Sequence, residues 1–261
     1  LYVLEPTAAD TVVEVLIGQM RRMAFANVRF ARSLILAMGP SAVPALTRHL
    51  NDPLVLGVLG AMKGGAGAAV PALQRAVSNG NVEIAATLAA IGTPEAVSAA
   101  RPVLLRALAE HHSPHLKMAV VAVGELGAEG GEAAEPLRRL LTHRDRDVRL
   151  YAASALADVG HVAEAATALG DLAVDTTVHN RHLAVSKLGL LGAQGRPAVP
   201  RLIELLRASD ARRFGERAEA LIALQRIDPA DLTVRQAILT ASGDPQVRAE
   251  LIRRGVQIPP N

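Results

Sequence analysis

The sequence predicts an all-α fold, a solenoid of about seven stacked helix pairs with a further helix at each end. Three observations carry this expectation. Of the 261 residues 50% are apolar but only 2% are aromatic, so a core must be built from Ala, Leu, Val and Ile. Apolar runs of helical period end at a glycine on the order of thirty residues apart, at Gly39, Gly64, Gly92, Gly127, Gly160 and Gly192. After most of these glycines a proline opens the next apolar run: Pro44, Pro71, Pro102, Pro136 and Pro200.

Each signal has a physical cause. A glycine just past a helix takes the left-handed conformation that a Cβ would strain. A proline in the first helical turn lacks only an N–H that would have no partner there. The second runs place apolar residues at helical spacing, as in Val43, Leu46 and Leu50, or Val199, Leu202 and Leu206. A single pair cannot bury such a face; stacked pairs can.

Taken in order, a leading helix is expected near 8–23. Helix pairs follow at 27–51, 54–78, 81–111, 115–142, 147–174, 178–208 and 212–241, and a trailing helix at 245–254. The chain reads as one domain over 1–261, with 1–26 as a cap, 27–241 as repeats, and 242–261 as a second cap and tail. The third pair is irregular. Its segment from Thr93 to Pro102 either bulges or lengthens the second helix. The fifth pair lacks the opening proline, and the first helix of the seventh ends at Asp228 instead of a glycine.

The residues that recur have a family look. They are the pairs Val28-Arg29, Val148-Arg149 and Val247-Arg248, endings such as Ala153-Leu156-Gly160, and the openings Val43-Pro44-x-Leu46 and Val199-Pro200-x-Leu202. In these the chain resembles HEAT-repeat proteins, specifically the short bacterial, phycobilisome-lyase-like class. The resemblance covers essentially the whole chain. It implies a right-handed superhelix whose second helices line the concave face, with the arginines of the Val-Arg pairs bridging to acids of neighbouring repeats. It says little about function, because the class hosts scaffolds, lyases and nucleic-acid enzymes.

Composition narrows the function classes. There are 28 basic and 25 acidic residues, a net charge of +3, and all but Lys63, Lys117 and Lys187 of the bases are arginine. The pI near 9.8 follows from arginines that stay charged, and overstates any pull on polyanions. With no cysteine, disulfides, thiolate nucleophiles and thiolate metal sites are excluded. The longest uncharged run, Ser33 to Thr47, contains two prolines, so no membrane span is expected. No signal peptide is evident, and a cytoplasmic place is favoured. A chain beginning at Leu1 reads as a fragment or processed form, part of a longer chain or assembly. Between Asp52 and Arg75 the only charge is Lys63, which reads either as tight Ala-rich packing or as apolar surface awaiting a partner.

Superposing the second helices on Leu46, Leu73, Leu104 and Leu137 puts an arginine two residues later in each: Arg48, Arg75, Arg106 and Arg139. Two residues is about 200° around a helix, so these side chains point away from the core. Asp171 and Glu204 occupy the position in the next two pairs, where the sign flips. This arginine row is the expected binding site, suited to an acidic protein segment or, as the alternative, a phosphate backbone. His111, His112 and His115, with His143 one repeat on, read as a polar turn, and neither a metal nor a cofactor is expected. No Gly-x-Ser-x-Gly elbow or P-loop is present, and Gly64-Gly65-Ala66-Gly67 reads as a turn. The HEAT-type di-iron hydroxylases use His-Glu dipeptides, of which this chain has none. So few aromatics make a base-stacking platform hard to build. The expected function is a non-enzymatic protein-interaction module or scaffold, with a HEAT-type lyase as a more distant reading.

Overall fold

The computed structural model describes residues 6–22, 25–77, 80–110, 113–207 and 214–254, which are helices joined by short turns, without strands. The chain divides into two compact units, Leu1–Ala133 and Ala134–Asn261. The boundary falls inside the fourth expected pair.

In the first unit, α1 (Pro6–Arg22) packs on the first helix pair. That pair is α2 (Phe25–Met38) and α3 (Val43–Leu46), the latter extended by a 3₁₀ turn at Thr47–His49. Then come α4 (Pro53–Ala61) with α5 (Val70–Val77), α6 (Val82–Ile91) with α7 (Pro94–Ala109), and α8 (Leu116–Glu125). First helices stack on one another, α2 on α4, α4 on α6 and α6 on α8, while α5 packs on α7. The second unit begins with α9 (Ala134–Leu140), which packs on α10 (Arg146–Asp158). It continues with α11 (Val162–Val174), then α12 (Arg181–Leu191) and α13 (Val199–Arg207), then α14 (Phe214–Ile227) and α15 (Leu232–Ser242), and closes with α16 (Pro245–Arg253). Here α10 packs on α11, α11 on α12, α12 on α14, and α14 on α16. Both units are stacks of helix pairs, the all-α solenoid architecture expected.

The repeat has a fixed internal register. Four residues before each first-helix terminus lies a fully buried apolar side chain: Ile35, Leu59, Leu88, Val123, Leu156, Leu188 and Leu224. In the second helices the buried anchors are Leu46, Leu73 and Leu104 in one unit, and Leu137, Leu169 and Leu202 in the other. The terminus four residues on is a left-handed glycine at Gly39, Gly92, Gly127, Gly160 and Gly192. The second repeat departs from expectation. Its left-handed residue is Lys63, at φ 52°, and not Gly64. Counting from Leu59 places the turn one residue earlier than the run of glycines suggests. A left-handed side-chain-bearing residue costs about 1–2 kcal/mol.

Connectors come in two kinds. Pairs with a 3₁₀ segment between their helices have it at Gly39–Ala42, Lys63–Ala69, Gly127–Ala133 and Gly192–Ala198. The third pair has none: α7 starts directly after Gly92, capped by the Thr93 hydroxyl, with Pro94 in its first turn. Pro102 was expected in the first turn but lies inside α7, which is the lengthened second helix. It is tolerated there because it sits on the exposed side of the helix, as does Ser98, whose carbonyl the missing N–H would have met. By length and composition one stretch, Val28–His49, could cross a membrane. The left-handed Gly39 divides it into the α2–α3 pair.

Small residues set the spacing of adjacent repeats. A Cβ added at Gly170 in α11 would lie 3.1 Å from the Cβ of Ala198 and 3.3 Å from its Cα. One added at Gly64 would meet nothing within 4 Å. Gly170→Val is therefore expected to destabilise the protein by about 1–3 kcal/mol through overpacking. Gly64→Ala should stay within about 0.5 kcal/mol of the parent. Chemical denaturation of both variants checks this, and equal effects would contradict it.

Candidate functional site

The arginine row begins where the second helices end. Arg48, Arg75 and Arg106 each lie two residues past a fully buried leucine, at the last turn of α3 and its 3₁₀ extension, of α5 and of α7, and all three are exposed. Arg139 holds the same register in α9 and is exposed as well, but belongs to the second unit.

The first rung is occupied from within the chain. Arg48 donates from both terminal nitrogens to Asp10 Oδ2, each at 2.9 Å, and from Nε to Glu14 Oε1 at 3.2 Å. His49 Nε2 lies 2.7 Å from the other Glu14 oxygen. Asp10 and Glu14 stand four apart on α1, so one helix face presents both carboxylates. The hydrogen bond with His49 holds the Glu14 carboxyl below its ordinary range; burial opposes it, and Arg48 adds to the lowering. The pairs with Asp10 and Glu14 in turn reinforce the charge on Arg48.

Farther along, Arg75 Nε donates to the Pro71 carbonyl at 3.2 Å, within its own helix. Among the described residues no carboxylate forms an ion pair with Arg106. Arg139 pairs loosely with Glu135 of its own helix at 3.5 Å. At the same position in the next two second helices, Asp171 and Glu204 share Arg201, at 2.8 and 2.9 Å. Those acids are neutralised locally.

The second unit contains a different arginine device. Arg149, Arg181 and Arg217 each lie seven residues before the buried leucine of a first helix. Each donates one arm to a preceding carbonyl, of His143, Thr176 and Leu206 respectively. Each sends the other to an acid farther along the chain: Asp175 at 3.7 Å, Glu216 at 2.5 Å and Asp244 at 2.6 Å. Only Arg149 belongs to a Val-Arg pair. The signal for the other two is their spacing from Leu188 and Leu224. Arg29 and Arg248, the other Val-Arg arginines, form no carboxylate pair among the described residues. A groove of about 540 Å³ between α10 and α11 is lined by Glu164, Asp171 and Asp175. Each carboxylate is met by an arginine there: Arg138, Arg201 and Arg149 respectively.

His111 and His112 lie outside the described residues. His115 is exposed, and His143 Nδ1 accepts from the Asp145 amide at 3.0 Å. Among the described residues no group of three or more His, Asp or Glu side chains is placed to hold a metal ion.

No protein-family model matches the chain, and no curated protein matches it by sequence. Solved structures do match. The complex of CpcE and CpcF of phycocyanin lyase from Nostoc sp. PCC7120 aligns over 95% of this chain and 95% of the matched chain, at 19% identity and a TM-score of 0.52. A crystallised engineered protein aligns over 96% of this chain and 80% of its own, at 20% identity and a TM-score of 0.50. Human deoxyhypusine hydroxylase aligns over 95% and 96%, at 20% identity and a TM-score of 0.37. The likeness is one of fold: the chain is built as a HEAT-type helical repeat, like the phycobilisome-lyase class.

Acid should loosen the structure through identifiable groups. Hydrogen bonds from Arg253, then Arg254, bring Glu250 down to about 2. Arg217 holds Asp244 below its usual range. Burial pushes Asp52 up, but Arg21 and the Leu54 amide outweigh it and leave it lowered. A carboxylate lowered in the folded state stabilises above its unfolded pKa and loses that contribution as pH falls through the folded one. The stability gap between the parent and Glu250→Gln should therefore be full at neutral pH. It should close as pH drops from about 4.5 towards about 2. Thermal midpoints measured across that range check it; a constant gap would contradict it.

Proposed function

We propose that this chain is a non-enzymatic protein-interaction module that takes an acidic helical segment along the second-helix face of its first unit. Arg75 and Arg106 carry the contact next to Arg48, which α1 already holds, and Arg139 offers the same chemistry in the second unit. The observation that supports the reading is the pairing of Asp10 and Glu14 with Arg48 and His49. The chain already binds one acidic helix, its own α1, at the first rung. Carboxylates four apart on a partner helix would meet Arg75 and Arg106 in the same manner. Charge-assisted, bidentate contacts of this kind orient a ligand more than they add affinity. A stack of helix pairs presents them on a rigid surface, so little ordering is needed on binding. That the Nostoc protein of like fold is a complex of two chains is in keeping with a protein partner.

A phosphate backbone is the rival ligand. It would show affinity falling steeply with salt, with a slope set by the number of phosphates contacted. Anisotropy of a labelled helical peptide with Asp and Glu four apart, set against a labelled single-stranded oligonucleotide, separates the two. The peptide should bind, and the double variant Arg75→Glu, Arg106→Glu should weaken it at least tenfold. Unchanged peptide affinity, or tighter binding of the oligonucleotide with a steep salt slope, would sink the proposal.

A further inference from the structure

The first-helix side of the first unit carries a second surface of different chemistry. Four first helices, α2, α4, α6 and α8, border a groove of about 400 Å³. Its floor is made of small residues: Gly57, Gly60 and Ala61 of α4, and Ala86 and Ala90 of α6. Gly60 brings the two helices together, since a Cβ there would sit 3.3 Å from the Cβ of Ala90. Gly57 is exposed, and a Cβ added to it would point into open space. Three of these helices, α2, α4 and α8, expose large apolar side chains, Phe30, Leu34, Leu54, Met118 and Val121, of which Met118 lines the groove. A shallow trough of small residues, with Leu56 and Met118 also in its lining, has the form that receives a helix.

The charged groups on this groove indicate what kind of helix. Arg32 lines it and forms no ion pair among the described residues. Lys63 lines it too, and is the one described residue other than glycine with a positive φ, at a position where five other repeats use glycine. Backbone strain of this kind concentrates at binding sites. Its ammonium rests on Glu125 at 2.7 Å, both side chains well exposed, a pair weak enough to exchange for another carboxylate. Glu83 is the one acid among the lining residues.

We infer that this groove is a docking surface for an amphipathic helix of a protein partner. The helix lays its apolar stripe over Gly57, Gly60, Ala61, Ala86 and Ala90, and presents a carboxylate to Arg32 and Lys63. This contact is separate from the arginine row, which lies on the second helices.

The variant Gly57→Leu blocks the trough without entering the core, because the new side chain starts in open space and leucine favours helix over glycine. The probe is a stapled sixteen-residue helix with leucines at i, i+3 and i+7 and a flanking glutamate, followed through the Met118, Ala61 and Ala90 methyl signals of the intact chain. A matched peptide with lysine for glutamate is the control. The glutamate peptide should shift these methyls, and Gly57→Leu should weaken it at least tenfold with the thermal midpoint unchanged. Arg32→Glu should reverse the preference between the two peptides. Binding unaffected by Gly57→Leu, or lost instead in Arg75→Glu, Arg106→Glu, would overturn the inference. So would a concentration-dependent dimer that Gly57→Leu converts to monomer, since the groove's occupant would then be a second copy of this chain.

Discussion

A helix pair with an apolar face on each side cannot bury both alone, and the stacking of this protein's helix pairs follows from that. The buried anchor four residues before each first-helix terminus needs a neighbouring pair above or below it. Burial of that kind is proportional to area and non-directional, so it does not by itself set the spacing of repeats. Small residues do that. Where Gly170 meets Ala198, or Gly60 meets Ala90, the absence of a side chain lets the helices approach closely. The near absence of aromatics is the compositional trace of the same geometry.

Charge adds register to this packing. In the second unit Arg149, Arg181 and Arg217 each join a carbonyl behind them to a carboxylate ahead. Arg181 and Arg217 are largely buried, so loss of either arm would leave a charge in poor solvent. In the first unit the second helices instead turn arginines outward. Arg48 is held by α1, and the first helices border a trough of small residues. The two units thus share an architecture and differ in what they show to solvent.

The fold was legible because its signals are local. A glycine after an apolar run and a proline in the next first turn act within a few residues, and helix ends fell close to their expected places. The misses were also local. Gly64, Gly65 and Gly67 follow Lys63 so closely that glycine alone does not mark the turn, whereas the distance from Leu59 does. Pro102 resembles the other opening prolines in sequence, but the third pair lacks a 3₁₀ connector and its second helix begins earlier. The exposure of Arg48, Arg75, Arg106 and Arg139 was readable from their offset to buried leucines. The partners of Arg48 were not, because Asp10 lies 38 residues away and reaches it only through the packing of α1. Arg181 and Arg217 escaped notice since neither follows a valine.

Dependence of each helix pair on its neighbours is the claim on which the whole account stands. Hydrogen exchange resolved by helix, comparing the parent with Leu188→Ala, tests it most directly. Leu188 is fully buried in α12, which packs on α11 and α14. Loss of its side chain should reduce amide protection in α11 and α14 as well as in α12. Loss of protection confined to α12, with both neighbours unchanged, would contradict the account.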